Sequence, residues 1–576
     1  MTSTLNKNLA NHDSYPATTD MHRRCVNMIA SLFHAPSVGG DATGTSTAGS
    51  SEAIFLAVLA LKTRWMAKQE QEAASRGVVS GSGRPNLVMS YAAHIAWKKA
   101  IHHFGVEGRY IPSFPSPFVG GAGGDGGGGG VGGGVTSGSS FDPGVILSKI
   151  DANTIGVVSI LGTTQTGHYE DTFALSELLL SRWRPVGSGS GSGSGAEAEP
   201  QSGNDNNNQD QNRDRVRVRD QDQATTQNEH GNQIDYSQIP IHVDAASGGF
   251  VAPFLSSPSS TSPSQSPNLP EETTLKWDFT LPNIASINTS SHKYGLVPPG
   301  LGWLVFRSAS HLPPELTFRM NYLGSATQSS YTLNFSRSAG HVVLQYFNFV
   351  RLGFAGYREV MLGLVGIAGR VSLGVREMGT EIGMGMGKGR GGGGGGGGWF
   401  EVLSSEGNGR GGGLPLVAFR IRPAFMLSLL LDSCSCGDDM GSGALGSESV
   451  SSGSDSDSGS FGHLSDSFGP FGSDSGLGPP SPGCGSCFTT TTTPDGQKNT
   501  KKLTFDEFAI AKALKKRGGW MVPAYTMPPP DESVAVLRVV VRQDFSVERC
   551  DEFLADLRAV MQELIGTQTS RLLEKA

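Results

Sequence analysis

The chain contains Ile241-His-Val-Asp-Ala-Ala-Ser-Gly-Gly-Phe250 and, further along, Ser286-Ile-Asn-Thr-Ser-Ser-His-Lys-Tyr-Gly295. The first segment predicts a short buried strand that ends at Asp244 and runs into a turn of small residues. The second predicts another buried strand that leads to Lys293 on a second small-residue turn. A buried carboxylate is costly unless a cationic group meets it. The two turns therefore indicate a site at the carboxyl ends of strands in an α/β layer.

Lys293 has two interpretations. A lysine on a turn is ordinarily a solvated charge, but a lysine can also form a Schiff base with an aldehyde cofactor. A pyridoxal phosphate (PLP) enzyme needs such a lysine, together with an acid that keeps the ring nitrogen protonated. Lys293 and Asp244 suit these two tasks, and their pairing favours the second interpretation.

The same residues carry a family resemblance. The segments around Asp244 and Lys293 resemble the cofactor segment of glutamate decarboxylase, which is a group II PLP-dependent decarboxylase. The resemblance implies the PLP-dependent transferase-like fold type I, with a large α/β domain built on a mixed sheet and a small C-terminal α+β domain. It also implies PLP as the cofactor, α-decarboxylation of L-glutamate to 4-aminobutyrate and carbon dioxide, and a homodimer or higher homo-oligomer.

A third segment suits a phosphate group. Gly44-Thr-Ser-Thr-Ala-Gly-Ser-Ser-Glu52 runs into an apolar helix predicted at 53–68. Unpaired N–H groups and small hydroxyl residues at a helix start favour an anion. The same pattern is also consistent with a serine that only caps the helix. The resemblance implies that Ser50 and Ser51 hold the PLP phosphate.

The resemblance names further residues of the site. It assigns catalysis to Lys293, His292 and His94, with His94 stacked on the PLP ring and Thr164 near the reacting carboxylate. Without the resemblance, His94 is a structural histidine at a strand end and Thr164 caps the next helix. The resemblance also implies that Ala246 and Ser290 contact the cofactor. It implies that Phe335 and Ser336 contact the cofactor phosphate of a neighbouring subunit.

Substrate recognition is assigned to Arg538 and Asn11. Arg538 is either a solvent-facing residue of an alternating strand or an anchor for the α-carboxylate of the substrate. The resemblance favours the anchor, and a guanidinium fork suits bidentate binding of a carboxylate. The family recognises the distal carboxylate partly with an acid, and Asn11 stands at that position here. This departure keeps two alternatives open: a group II decarboxylase for another amino acid, and a non-catalytic homologue whose polar insertions bind proteins.

Hydrophobic periodicity predicts helices at 21–34, 95–104, 340–373 and 547–564. Thr504 and Glu507 have the spacing of a capping box, which predicts a helix that starts there and stops at Gly518-Gly519. Apolar or alternating runs predict strands ahead of His94 and around 153–167, 399–403, 416–422 and 534–541.

Composition indicates that much of the chain is not core. Its 576 residues include 81 glycines, and only 37% are hydrophobic. Glycine-, serine- and asparagine-rich runs cannot build a packed core, so we expect disordered insertions there. They fall at 112–146, 185–233, 256–272, 385–398 and 433–499. We assign 1–362 to the large PLP-binding domain and 363–576 to the small domain.

Charge and targeting signals exclude several classes of partner. The net charge is −7 and no basic stripe is present, so we expect no nucleic-acid partner. The first residues lack the pattern of a signal peptide, and no run of about 18 apolar residues exists, so we expect a cytoplasmic protein with no membrane partner. Cys434-x-Cys436 and Cys484-x-x-Cys487 give only half of a zinc-ribbon signature, and we expect no metal.

Overall fold

A computed structural model defines the architecture of the chain. It describes residues 6–36, 39–77, 83–113, 142–181, 234–255, 275–320, 328–380, 398–404, 413–423, 425–426, 429, 491–492, 498–499 and 505–573. The predicted insertions 185–233 and 256–272 lie outside the described residues, as does most of 112–146, 385–398 and 433–499. Within 112–146, a short helix begins at Pro143 because the side chain of Asp142 caps it.

A mixed seven-stranded sheet forms the centre of the fold. Its strand order is β1-β7-β6-β5-β4-β2-β3, and β7 is antiparallel to both of its neighbours while the other pairs are parallel. The strands are β1 Gly44–Thr47, β2 Asn86–Ser90, β3 Glu107–Ile111, β4 Thr154–Ile160, β5 Ile241–Asp244, β6 Ile284–Ser290 and β7 Gly302–Phe306.

Helices pack on this sheet and continue into the C-terminal part. They are α1 Pro16–Leu32, α2 Ser50–Arg76, α3 Ile95–His103, α4 Pro143–Leu147, α5 Thr172–Ser181, α6 Ala252–Leu255, α7 Ser291–Tyr294, α8 Gly340–Glu377, α9 Glu507–Gly518 and α10 Val547–Leu573. Helix α8 is interrupted at Gly353, whose φ of 58° only glycine adopts readily. Among the described residues, no helix is long and apolar enough to cross a membrane.

A smaller antiparallel sheet lies in the C-terminal part, with the order β10-β11-β15-β14. Its strands are β10 Phe400–Val402, β11 Leu416–Ile421, β14 Ala524–Thr526 and β15 Ala535–Val540. Two short pairs complete the described strands: β8 Phe318–Met320 with β9 Gln328–Ser330, and β12 Thr491–Thr492 with β13 Lys498–Asn499. The mixed sheet and this smaller sheet confirm the predicted fold class.

Two compact units result from the contacts within the chain. One comprises Met1–Ile421 and Asp506–Met561 and holds both larger sheets, and the other comprises Arg422–Phe505 and Gln562–Ala576. The division of the chain into a large and a small domain at residue 362 stays a prediction.

The start of α9 differs from the predicted capping box. Asp506, rather than Thr504, is the N-cap residue, and its side chain accepts from the Ala509 backbone N–H at 2.9 Å. Glu507 instead accepts from the Ile421 backbone N–H at 2.9 Å. The predicted box is therefore wrong, because a contact distant in sequence takes the glutamate. The predicted stop is confirmed, with Gly519 left-handed at a φ of 68°.

One face of the large sheet is covered by α2 and α3. Ile54, Val58 and Leu61 of α2 pack with Trp97 of α3 against buried residues of β2 and β4. Fully burying an aliphatic side chain stabilises a fold by about 1.5–3 kcal/mol. This packing brings the first turns of both helices to the carboxyl ends of the parallel strands.

Candidate active site

A cavity of about 530 Å³ lies at the carboxyl ends of the parallel strands. Strand β4 ends at Ile160, β5 at Asp244 and β6 at Ser290, and all three residues line it. Polar groups at this edge of a parallel sheet are typical of ligand sites. The predicted site residues that line this cavity are Ser50, Ser51, His94, Thr164, Asp244, Ala246, Ser290, His292 and Lys293.

The carboxylate of Asp244 is buried and accepts hydrogen bonds from neutral donors. Its Oδ2 accepts from the indole Nε1–H of Trp97 at 2.7 Å, and its Oδ1 accepts from Asn288 Nδ2 at 3.0 Å and from the Ala246 backbone N–H at 3.1 Å. The buried position of this carboxylate predicted a cationic partner. In the structure the direct partners are three N–H groups, and hydrogen bonds to an anion stabilise it strongly.

Lys293 lies on α7, directly after β6. Its Nζ donates to Ser247 Oγ at 2.9 Å. Burial lowers the pKa of this amine, the Asp244 carboxylate opposes that effect, and the Arg538 guanidinium adds to it. A lysine with a lowered pKa is neutral more often at a given pH, and a neutral amine is the form that attacks an aldehyde.

The first turn of α2 forms a cradle for an anion. Ser50 Oγ and Ser290 Oγ are 2.7 Å apart, so one hydroxyl donates to the other. The N-cap residue is Gly49, and no side chain in the described part of the chain caps this helix end. A methyl group on Gly302 would lie 2.6 Å from the Gly49 carbonyl carbon and 2.9 Å from Ser50 N. Glycine at 302 therefore permits β7 to approach the helix start.

Two histidines complete the cavity wall. The Nδ1 atom of His292 is buried and has no hydrogen-bond partner in the described part of the chain. Burial lowers the pKa of this imidazole. His94 is the N-cap residue of α3, and its Nδ1 accepts from the Ala96 backbone N–H at 3.2 Å, so its ring proton is on Nε2. Desolvation and the positive charge of Lys293 lower the pKa of His94.

Arg538 of β15 reaches the loop that carries Thr164. Its Nη1 donates to the Thr164 carbonyl oxygen, and its guanidinium carbon lies 5.4 Å from the centre of the Tyr525 ring. The Nε of Arg538 is buried and has no hydrogen-bond partner among the residues that the structure describes. The guanidinium therefore lies beside Thr164, which lines the cavity, and its Nε–H group is available to a ligand.

Asn11, Phe335 and Ser336 are not among the residues that line this cavity. Their two segments pair with each other instead: Asn8 Nδ2 donates to Ser336 Oγ at 3.1 Å, and Leu9 N donates to the Arg337 carbonyl at 2.9 Å. Asn11 Oδ1 accepts from Ser14 N at 3.2 Å, as a turn residue does. Phe335 is exposed.

Sequence reasoning missed Trp97, Asn288, Ser247 and Gly302. A signal for Asn288 was present, because Ser286, Asn288 and Ser290 alternate with other residues along β6 and so share one face of the sheet. Trp97 carries no such signal. It lies at an ordinary core position of a helix, and its contact with Asp244 spans 147 residues of sequence.

These residues fit PLP. Lys293 supplies an amine for the aldehyde and Asp244 supplies an acid for the ring nitrogen. The start of α2, with the hydroxyls of Ser50 and Ser290, suits the phosphate. The Nδ1 atom of His292 is buried without a hydrogen-bond partner among the described residues, so a group that enters the cavity can bind it.

A mixed seven-stranded sheet with a lysine and a buried carboxylate in a cavity at its strand ends is consistent with a PLP-dependent enzyme of fold type I, and comparison with known proteins shows this class. The family model of the pyridoxal-dependent decarboxylase conserved domain matches residues 1–118 and 225–382. Glutamate decarboxylase from Solanum lycopersicum is 31% identical over 576 residues, which are 100% of this chain and 75% of the relative. Glutamate decarboxylase 5 from Arabidopsis thaliana is 31% identical over 564 residues, 98% of this chain and 74% of the relative.

Among solved structures, the glutamate decarboxylase of Lactobacillus brevis superposes with a TM-score of 0.60 at 25% identity, and the match covers 98% of this chain and 84% of that chain. The chain belongs to the glutamate decarboxylase family of pyridoxal-dependent decarboxylases. It is a PLP-dependent carboxy-lyase.

Proposed function

We propose that the chain converts L-glutamate to 4-aminobutyrate and carbon dioxide at the cavity that holds Lys293 and Asp244. The observation that carries this proposal is the convergence of an amine, a buried carboxylate and an uncapped helix start on one cavity of about 530 Å³. Its relatives in tomato and Arabidopsis are glutamate decarboxylases, which supports glutamate as the substrate.

Lys293 would hold PLP through Nζ until the substrate amino group replaces it. Bound PLP supplies an electron sink for the pair left on Cα when carbon dioxide departs. The neighbouring Ser247 hydroxyl holds Nζ in place by the 2.9 Å hydrogen bond described above. Nζ would then deliver a proton to Cα, and His292 Nδ1, which is buried and has no hydrogen-bond partner among the described residues, would share that task.

Asp244 would serve the ring nitrogen of bound PLP as a negatively charged partner that favours the protonated nitrogen. The N–H groups of Trp97, Asn288 and Ala246 hold the carboxylate as an oriented anion. Since these donors are fixed before the substrate enters, no reorganisation is needed at the moment of reaction.

Arg538 binds the α-carboxylate of the substrate. Its guanidinium leaves the Thr164 carbonyl and turns its fork toward the cavity, where Thr164 forms part of the wall. Bidentate binding fixes the bond that breaks relative to the cofactor ring. His94, the N-cap residue of α3, would stack on the cofactor ring.

Homodimer formation or higher self-association is part of the proposal. Phe335 and Ser336 lie on a segment paired with residues 8–9, away from the lining of this chain's own cavity. This placement supports a role for the segment in a second copy's site, and Asn11 with it. We also propose a cytoplasmic location.

The test is direct. The full-length chain is purified with PLP, the absorbance of the bound cofactor is recorded, and the products from L-glutamate, L-aspartate and aromatic L-amino acids are identified. We expect 4-aminobutyrate from L-glutamate. Turnover of another amino acid alone would assign the chain to a different group II substrate, as Asn11 suggests. Bound PLP without any turnover would identify a non-catalytic homologue.

A further inference from the structure

One buried histidine has no place in the mechanism above. His242 lies in β5, two residues before Asp244, and is 0% exposed. The strand register sets His242 opposite Ser286 and Asp244 opposite Asn288. Because side chains two residues apart share a face, these four residues form one polar patch on the sheet. His242 itself does not line the cavity.

The hydrogen bonds of this patch form a chain in which every donor-to-acceptor direction points toward Asp244. Asn288 uses its Nδ2 to donate to Asp244 Oδ1, so its Oδ1 faces His242 Nε2 at 2.7 Å. An amide oxygen only accepts, which requires the proton on Nε2. His242 Nδ1 is then an acceptor, and the Ser286 hydroxyl donates to it at 2.7 Å. Each group donates to the next along the path from Ser286 to Asp244.

His242 also contacts the second side-chain donor to Asp244. Its ring packs edge-on against the Trp97 indole, with ring centres 5.2 Å apart and an interplanar angle of 65°. One imidazole therefore supports both Asn288 and Trp97. Burial lowers the pKa of His242, which favours the neutral ring that this arrangement needs.

We propose that His242 is a positioning residue: as the neutral Nε2–H tautomer it holds Asn288 and Trp97 in the orientation that makes Asp244 a fixed anion toward the cofactor. A protonated ring would donate from both nitrogens and force Ser286 to turn. Loss of the ring would free the Asn288 amide to rotate, which would place an oxygen against the carboxylate. The inference rests on the proposed function only in taking PLP as the group that Asp244 serves.

The experiment compares full-length His242→Phe, His242→Gln and Asn288→Leu with the wild type. Phenylalanine keeps the contact with Trp97 but removes both nitrogens, and glutamine restores one N–H donor. Asn86→Leu is the matched control, because Asn86 is also 0% exposed and also donates to a carboxylate, that of Asp151 at 2.7 Å, but lies at the opposite end of the sheet.

Two readouts are used. In the cofactor-free protein, the indole N–H resonance of Trp97 reports on the hydrogen bond to Asp244, and Trp97→Phe identifies it among the signals of the 7 tryptophans. In the PLP-loaded protein, the pH dependence of the cofactor absorbance and the values of kcat and KM are measured. The first readout requires no cofactor, so it remains decisive even if the wild type binds no PLP and the proposed function fails.

We expect His242→Phe and Asn288→Leu to move the Trp97 resonance and to lower kcat by about 10- to 100-fold, the usual cost of losing an outer partner of a functional group. His242→Gln should return the Trp97 resonance and kcat toward their wild-type values. Asn86→Leu should leave the Trp97 resonance unchanged. Ser286→Ala, which preserves the packing, should move the resonance in the same direction if His242→Phe does not fold. An unmoved resonance in folded variants, or an equal shift in Asn86→Leu, would overturn the proposal.

Discussion

Lys293 Nζ donates a hydrogen bond to Ser247 Oγ at 2.9 Å; Ser247 lies on the turn after β5, and Lys293 lies on α7, which follows the adjacent parallel strand β6. The partner of the amine is thus a neutral hydroxyl rather than a carboxylate. An ion pair with a carboxylate would favour the charged ammonium, whereas burial next to a hydroxyl favours the neutral amine.

Replacing Lys293 with alanine should abolish covalent attachment of the cofactor. We expect kcat to fall by about 10²- to 10⁴-fold, the range typical of a lost proton-transfer group. Borohydride treatment followed by peptide mass measurement should place a pyridoxyl group on the Lys293 peptide of the wild type. Lys276→Ala, at an exposed lysine, is the control and should retain that mass. A pyridoxyl mass at another lysine would contradict the assignment.

Gly302→Ala should weaken PLP binding, because the added methyl group meets the backbone of Gly49 and Ser50 at 2.6–2.9 Å. Displacement of the α2 start removes hydrogen bonds to a charged phosphate, and we expect the dissociation constant to rise by about 10- to 100-fold. Titration of the cofactor-free protein with PLP measures this dissociation constant. Gly363→Ala is the control, since a methyl group there meets nothing within 4 Å. Equal affinities in the two variants would count against the phosphate cradle.

Arg538→Lys should impair substrate binding more than cofactor binding. A lysine ammonium cannot make the bidentate contact of a guanidinium. We expect kcat/KM to fall by about 10- to 100-fold, which corresponds to one charged hydrogen bond of about 1.5–3 kcal/mol. The affinity for PLP should stay close to that of the wild type. Arg370→Lys, at an exposed arginine paired with Asp551, is the control. A selective loss of PLP affinity in Arg538→Lys would disprove a role in substrate binding.

Glu170 gives the protein a pH-dependent stability. Its carboxyl group is 0% exposed, and burial raises its pKa from 4.5 to about 7, although hydrogen bonds from the Ile160 N–H and the Ser113 hydroxyl oppose the shift. The folded state therefore holds this proton more tightly than the unfolded chain. Its stabilising contribution is complete below pH 4.5 and is lost as the pH rises through 7.

Glu170→Gln removes this titration and keeps an oxygen for the Ile160 N–H. Relative to the wild type, the variant should gain about 3 kcal/mol in unfolding free energy between pH 4.5 and pH 8. Urea unfolding of the cofactor-free protein at the two pH values measures the difference. Glu177→Gln, at an exposed carboxyl group of α5, is the matched control. The same relative stability of Glu170→Gln at both pH values would refute the assignment.

The sequence predicted the fold class and most of the cavity wall because these depend on local patterns. Each of β4, β5 and β6 is a short buried strand followed by a segment that contains small or polar residues, and parallel strands bring such segments to one edge. The donors that meet Asp244 could not be predicted in the same way. Trp97 and Asn288 reach it from positions 147 and 44 residues away, and their pairing depends on helix packing and strand register.

Asn11, Phe335 and Ser336 show a different limit. Their resemblance to a family site identified a role but not a location within one chain, and the structure places them away from the cavity lining. The start of α9 shows a third limit. Thr504 and Glu507 have the correct spacing for a capping box, yet Ile421, which is distant in sequence, binds the glutamate.

Strand β1 has a consequence for how the protein is made. Gly44 pairs with Val305, and β7 is the neighbour through which β1 joins the sheet. A ribosome must therefore synthesise the first 302 to 306 residues before β1 can pair with β7, and until then the backbone groups of β1 lack this partner. Contacts of such long range slow folding and leave a nascent chain open to aggregation. We expect recombinant yield to depend on chaperones and on slow expression at low temperature.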